Sequence, residues 1–146
     1  AAWHDVVDIA CGVRHTAAVL SDGHCVATGD NSRGQCAVGD WENVVMIACG
    51  EFHTAGVTAD GRVLVAGNAG GEACRVEDLR DVISGACLPE ATVCVHADGH
   101  MTVRGGDGML AEAVAPIRDA VAVDGKEYRL AVLTVDRRVL FLPGTE

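Results

Sequence analysis

An all-β architecture of repeated units is what the sequence predicts, on three observations. An ungapped period of 38 residues runs through the chain, plainest where "HTAAVLSDGHCVATGDN" from His15 returns as "HTAGVTADGRVLVAGN" from His53. Each strong copy carries an Asp-Gly pair between two short apolar runs, the strongest short-range hairpin signal. Capped helical periodicity is absent, which argues against a helical-repeat array. Three or four short antiparallel strands, repeated at this spacing, are the pattern of β-propeller blades. A parallel β-solenoid is the alternative, but its turns are shorter and lack a tight Asp-Gly hairpin.

The copies can be followed element by element. "WHDVVDIACG" at Trp3 returns as "WENVVMIACG" at Trp41, "LRDVISGACL" at Leu79 and "IRDAVAVDGK" at Ile117. Four repeats of about 38 residues follow, at 3–40, 41–78, 79–116 and 117–146, forming a single propeller-like repeat domain. In the first strand of each, alternation places Val7, Ile9 and Cys11 on one buried face, and Val45, Ile47 and Cys49 likewise. The second and third strands flank the hairpins at Asp22-Gly23, Asp60-Gly61 and Asp98-Gly99, whose fourth copy is Asp136-Arg137. Asp in these pairs tolerates positive φ and closes the hairpin. The segment "GQCAV" offers a short fourth strand. "EDLRD" reads as a lead-in to a strand. "GNAGGE" and "GGDG", with Gly29 and Gly67 at matching positions, read as inter-strand turns rather than phosphate-cradling loops, which open a helix. The last copy stops at "LPGTE" before any fourth strand.

Composition narrows the function. The chain has 146 residues, 49% hydrophobic, with 18 glycines, so it is globular and rich in turns. Its apolar runs are far shorter than a membrane helix needs. Eleven Lys and Arg face 21 Asp and Glu, a formal charge of −10. No basic cluster exceeds Arg137-Arg138, so direct binding to nucleic acid or an anionic membrane is disfavoured. The acidic balance suits solubility or a basic partner.

The pattern W-x-D-V-V-x-I-A-C-G-x-x-H-T, followed by D-G-x-x-V-A-x-G-D-N-x-x-G-Q-C, resembles the repeat of the regulator of chromosome condensation family, in particular its short-repeat bacterial branch. It covers the first two copies fully, the third partly and the fourth faintly. The resemblance implies four-stranded blades, usually seven, whose loops bind proteins. It also brings two narrower alternatives: guanine-nucleotide exchange on a small GTPase, and inhibition of β-lactamases through an aromatic-rich face. The copies carry no inserted loop of the kind the first uses. Only Trp3, Trp41, Phe52, Tyr128 and Phe141 are available to the second.

Residues that invite chemistry recur with the period. His15 and His53 head equivalent strands, and a hydrogen-bonding role in the frame suits them better than general-base catalysis, which needs one specific geometry. No catalytic residue, metal site or cofactor is expected. Of the seven cysteines, Cys11, Cys49 and Cys87 share one repeat position and Cys36 and Cys74 another, as small core hydrophobes do. Their odd number favours a reducing, cytoplasmic setting. The expected function is a non-catalytic protein-interaction module, with Arg14, Arg33, Glu51, Phe52 and Arg75 in non-repeating loops as partner-facing residues.

Fewer than four full repeats leave the ring open. A compact four-blade ring, association of two chains as a homodimer, or excision from a longer chain would each resolve this, giving a partial or oligomer-completed propeller. The start at a repeat boundary favours the last. Open blades leave strand edges and apolar faces in want of cover.

Overall fold

The structure, a computed structural model, describes residues 2–68 and 71–142. It holds four antiparallel sheets, each of three consecutive strands. The first is β1 (Val6–Cys11), β2 (His15–Leu20) and β3 (Cys25–Gly29); the second is β4 (Val44–Cys49), β5 (His53–Thr58) and β6 (Val63–Gly67). The third is β7 (Val82–Leu88), β8 (Ala91–His96) and β9 (Met101–Gly105); the fourth is β10 (Ala120–Lys126), β11 (Arg129–Thr134) and β12 (Val139–Phe141). Among the described residues these are propeller blades of three strands, not four. "GQCAV" forms turns instead of a strand. The corresponding stretches hold a short 3-10 turn at Glu72–Cys74 and a helix, α1, at Met109–Val114. "GGDG" therefore follows a strand and does open a helix, although one of only six residues. Ala69 and Gly70 of "GNAGGE" and residues 143–146 of "LPGTE" lie outside the described residues.

The hairpins show why glycine recurs. Gly23, Gly61 and Gly99 have φ of +86°, +81° and +92°, and each amide donates to a carbonyl three residues back. The preceding Asp does not share the positive φ. Its carboxylate instead ties down the turn, accepting the amide of His24 (3.0 Å) at Asp22 and of His100 (3.0 Å) at Asp98. This is a three-residue loop with the left-handed residue last. In the fourth hairpin Arg137 takes that place at φ +69°. Another left-handed position lies just before the first strand, at Asp5, Asn43 and Asp81, with φ near +58°. Short Asx side chains tolerate that region best.

The expected alternation of the first strands fails in one respect. Ile47 and Cys49 are buried, but Val45 is 54% exposed and Val7 63%. The cause is a register irregularity between Val44 and Met46, repeated at Val6/Asp8, Val82/Ser84 and Ala120/Ala122. A bulge inserts one residue and resets which side chain faces inward. Val44 and Ile47, three apart, therefore share the core, and Val45 turns outward.

Packing between sheets is strictly sequential. One buried cluster joins Ala17, Val19 and Cys25 of the first blade to Val44, Ile47 and Cys49 of the second. Another joins Ala55, Val57 and Val63 to Val82 and Cys87. The last joins Val93, Val95 and Met101 to Ala120 and Val123, with Leu110 and Val114 of α1 beneath. Four blades thus have three seams. The first strands β1, β4, β7 and β10 line a channel of about 470 Å³. Ile9 and Cys11 of β1, expected to be buried, line it and are exposed.

Two stability tests follow from this packing. Ile47→Asp leaves an unpaired charge in the first seam and should cost several kcal/mol, while Val45→Asp should stay within about 0.5 kcal/mol of wild type; urea denaturation compares them. Arg137→Gly should raise stability by about 1 kcal/mol, because an L side chain is strained in the left-handed region. Gly61→Ala should do the reverse, since its Cβ would lie 2.9 Å from the Asp81 Cα.

Candidate protein-interaction surface

The Asp-Gly hairpins lie at one end of the blades. The loops from first to second strand lie at the other, beside the segments that follow each third strand. In those loops Val13, Glu51, Pro89 and Glu127 are one repeat position, and Arg14, Phe52, Glu90 and Tyr128 the next. Three of the four loops meet around a cleft of about 340 Å³. Its floor is Leu88, Ala91 and Leu110, its walls Phe52, Pro89 and Tyr128, and its rim Glu51, Glu90, Asp107 and Glu127. Tyr128 is 61% exposed. None of the four carboxylates forms an ion pair among the described residues.

Of the five residues expected to face a partner, Glu51 and Phe52 line this cleft. Arg33 lies next to it, its guanidinium 5.0 Å from the centre of the Phe52 ring, a cation–π contact that holds the ring. Arg14 and Arg75 are not among the lining residues. Arg14 is exposed, with its carbonyl taken by the Asp30 amide (2.8 Å), and Arg75 is paired with Glu72 (2.9 Å). Sequence reasoning missed Glu90, Asp107, Leu110, Glu127 and Tyr128. The signal for three of them was present, since Glu90 and Tyr128 are repeat equivalents of Arg14 and Phe52, and Glu127 is the repeat equivalent of Glu51. Asp107 and Leu110 come from the segment read as a simple turn.

Beneath this end, the frame is pinned across the seams. His15 Nε2 meets Thr54 Oγ1 at 2.7 Å, and that hydroxyl donates to the Gln35 carbonyl at 2.7 Å. His53 Nε2 meets Thr92 Oγ1 at 3.1 Å, and Thr92 donates to the Ala73 carbonyl at 2.8 Å. Because each hydroxyl proton is committed to a carbonyl, each histidine donates from Nε2. Both Nδ1 atoms are then buried with no partner. Close approach is allowed by glycine: a Cβ on Gly50 would lie 2.9 Å from the His53 ring. Gly29 and Gly67, at φ +111° and +94°, pass equally close to the carbonyls of Arg14 and Phe52. In the third seam the set changes together. Leu88, Ala91 and Leu130 replace the glycine, the histidine and the threonine, and all three are buried.

The cysteines are all free thiols. Cys49 and Cys87 donate across seams to the carbonyls of Ala10 (3.5 Å) and Ala48 (3.6 Å). Burial pushes the thiols of Cys25 and Cys49 up to about 11 and that of Cys94 to about 12.

The profile of the regulator of chromosome condensation (RCC1) repeat matches residues 6–35 and 44–70. The first two repeats thus carry the regulator of chromosome condensation repeat. Solved structures share the fold at low identity. Human WBSCR16 superposes with a TM-score of 0.73 at 18% identity, over 93% of this chain and 47% of its own. Prp20p from Saccharomyces cerevisiae gives 0.67 at 14%, over 90% and 42%. The computationally designed Ika4 gives 0.54 at 15%, over 93% and 89%. This chain spans less than half the length of the two natural proteins. No curated protein matches the sequence.

The RCC1-repeat histidines make the frame sensitive to acid. Burial, and then the neighbouring His15, lower the His53 pKa to about 4; burial lowers that of His15 too, against the opposing pull of Asp30. A histidine held neutral in the fold takes up its proton more readily unfolded, so its stabilisation is complete above pH 6.5. It is lost as pH falls towards 4, by roughly 3 kcal/mol for His53. Installing the third-seam set by Gly50→Leu, His53→Ala and Thr92→Leu should flatten most of this dependence, read from urea midpoints between pH 7.5 and 4.5.

Proposed function

We propose that this chain is a non-catalytic protein-interaction module, a single propeller-like domain of repeats 3–40, 41–78, 79–116 and 117–146 that takes a basic segment of a partner protein into the cleft at its loop end. The observation that supports this best is the union of four carboxylates that form no ion pair among the described residues, two aromatic rings and an apolar floor in one concavity. Aromatic walls supply contact area at small entropic cost, and a desolvated cation over an aromatic face gains further attraction. The charge of −10 steers a basic partner towards the protein. His15 and His53 lie in the seams with Nε2 engaged, and neither lines the cleft. Prp20p has been characterised for its binding to Gsp1p and histones, and has been solved bound to Kap60. A protein partner for this chain accords with that. Arg14, Arg33 and Arg75 then serve the margin of the surface rather than its centre.

The test uses a synthetic peptide of alternating Arg and Leu, with Glu in place of Arg as control, followed by fluorescence anisotropy. The basic peptide should bind, and weaken with salt, while the acidic one should not. Tyr128→Ala, or Glu90→Gln with Glu127→Gln, should reduce affinity about tenfold or more, equivalent to ~1.4 kcal/mol. Arg14→Ala and Arg75→Ala should have little effect. Equal binding of both peptides, or indifference to both Phe52→Ala and Tyr128→Ala, would overturn the reading.

A further inference from the structure

The two rings of the cleft differ in one respect. The Arg33 guanidinium stands 5.0 Å from the centre of the Phe52 ring, whereas among the described residues no cation stands over Tyr128. Arg33 forms no ion pair among the described residues, so the ring is its engagement. The contact is held from behind. The Arg33 amide donates to the Gln35 side-chain oxygen at 2.8 Å, and Gln35 is fully buried. The Gln35 carbonyl accepts the Thr54 hydroxyl at 2.7 Å, which ties the segment to the blade that carries Phe52. Ser32 is bonded to Asp30 through both its amide (3.0 Å) and its hydroxyl (3.1 Å). The turn that carries this exposed arginine is therefore fixed.

The repeat supplies an internal comparison. One period on, Glu90 stands where Phe52 does, and Gly71 and Ala73 stand where Arg33 and Gln35 do. The Thr92 hydroxyl still bonds the Ala73 carbonyl at 2.8 Å, so the backbone pin survives without the side-chain brace or the cation. Before Tyr128 the same two positions are Met109 and Ala111. The frame does not require the Arg33–Gln35 pair, which serves the one ring.

We infer that Arg33 sets the specificity of the cleft, reserving its Phe52 wall for an apolar side chain and leaving the cation of the bound segment to the Tyr128 side. The inference rests on the cleft reading given above. Arg33 does not line the cleft, so it braces the ring from outside. A second cation at equal height over the opposite face would lie about 10 Å from the first, where repulsion in a partly desolvated site is comparable with the attraction of the ring. The ring edge is no better, since it carries the positive end of the quadrupole. An aliphatic side chain gains contact with Phe52 at neither cost. Tyr128 has no such handicap, in a cleft it shares with Glu90, Asp107 and Glu127. The occupant is then a segment that sets an apolar residue beside a basic one, lying in one direction across the cleft. Arg33 acts through Phe52 and is a positioning residue.

Fluorescence anisotropy compares the alternating Arg and Leu peptide with the same peptide carrying Lys in place of Leu. Wild type should bind the Leu-bearing peptide more tightly, against the general pull of an acidic protein on the more basic one. Arg33→Gln should shift the affinity ratio by about threefold or more towards the Lys-bearing peptide. Arg14→Gln removes the same charge from the same end of the molecule and should leave the ratio unchanged. Both side chains are exposed, so circular dichroism should be that of wild type. A wild type that prefers the Lys-bearing peptide, an unchanged ratio in Arg33→Gln, or an equal shift in Arg14→Gln would overturn the inference and leave the cleft reading standing. Binding of neither peptide would overturn the cleft reading, and this inference with it.

Discussion

Everything in this protein depends on the docking of each first strand against the sheet that precedes it. A three-stranded sheet of such short strands has two faces and too little area to bury either by itself. Stacking resolves this by giving every sheet at least one neighbour, so that Val19, Val93, Val95 and Val132 become fully buried. The same docking brings the chain's backbones close enough for seam contacts. The Asp8 carboxylate accepts the Ile47 amide at 2.9 Å, and the Ser84 hydroxyl accepts the Val123 amide at 3.1 Å. Stability in such an array is largely a sum of neighbour terms. Damage to one seam is therefore felt locally first.

The seams show two solutions to one steric problem. Where a histidine crosses, the first strand must be followed by glycine, because a side chain at Gly50 would collide with the imidazole. Where the histidine is Ala91, the vacated space is filled by Leu88, and Leu130 supplies an apolar partner in place of a hydroxyl. Changing one member alone would leave either a clash or a buried hydroxyl without its histidine. The apparent decay of the third copy is thus a coordinated exchange of a polar pin for an apolar plug. It also leaves the cleft floor apolar, since Leu88 and Ala91 lie beneath it.

Most of the frame was legible because repetition displays the same constraint several times. Gly23, Gly61 and Gly99 announce a left-handed turn three times over, and the ungapped period fixes which strands correspond. The facing of the first strand was not legible, because simple alternation cannot register a bulge that resets the phase between Val44 and Met46. The absent fourth strand was hidden for a different reason. "GQCAV" has strand-like composition, yet the Cys36 amide is captured by the Asn31 side chain (2.9 Å) and its thiol by the Asp30 carbonyl (3.3 Å), folding the segment into turns. Of the surface, Glu51 and Phe52 were found where the first two copies differ. Asp107 and Leu110 were missed because the stretch that forms α1 is only turns in the first copy and a three-residue 3-10 turn in the second.

The same repeat logic separates what can vary from what cannot. At Arg14, Phe52, Glu90 and Tyr128, one position carries a cation, two aromatics and an anion, and all four project from the loop end. Two residues earlier, Gly12 and Gly50 are held by backbone approach, with a Cβ on Gly12 placed 2.3 Å from the Gly50 carbonyl oxygen. A frame constrained at the seams and free at the loop tips can change its partner chemistry without changing its fold. The acidic, aromatic cleft is one outcome of that freedom. It arises where three loops that differ in sequence are brought side by side by seams that follow one plan.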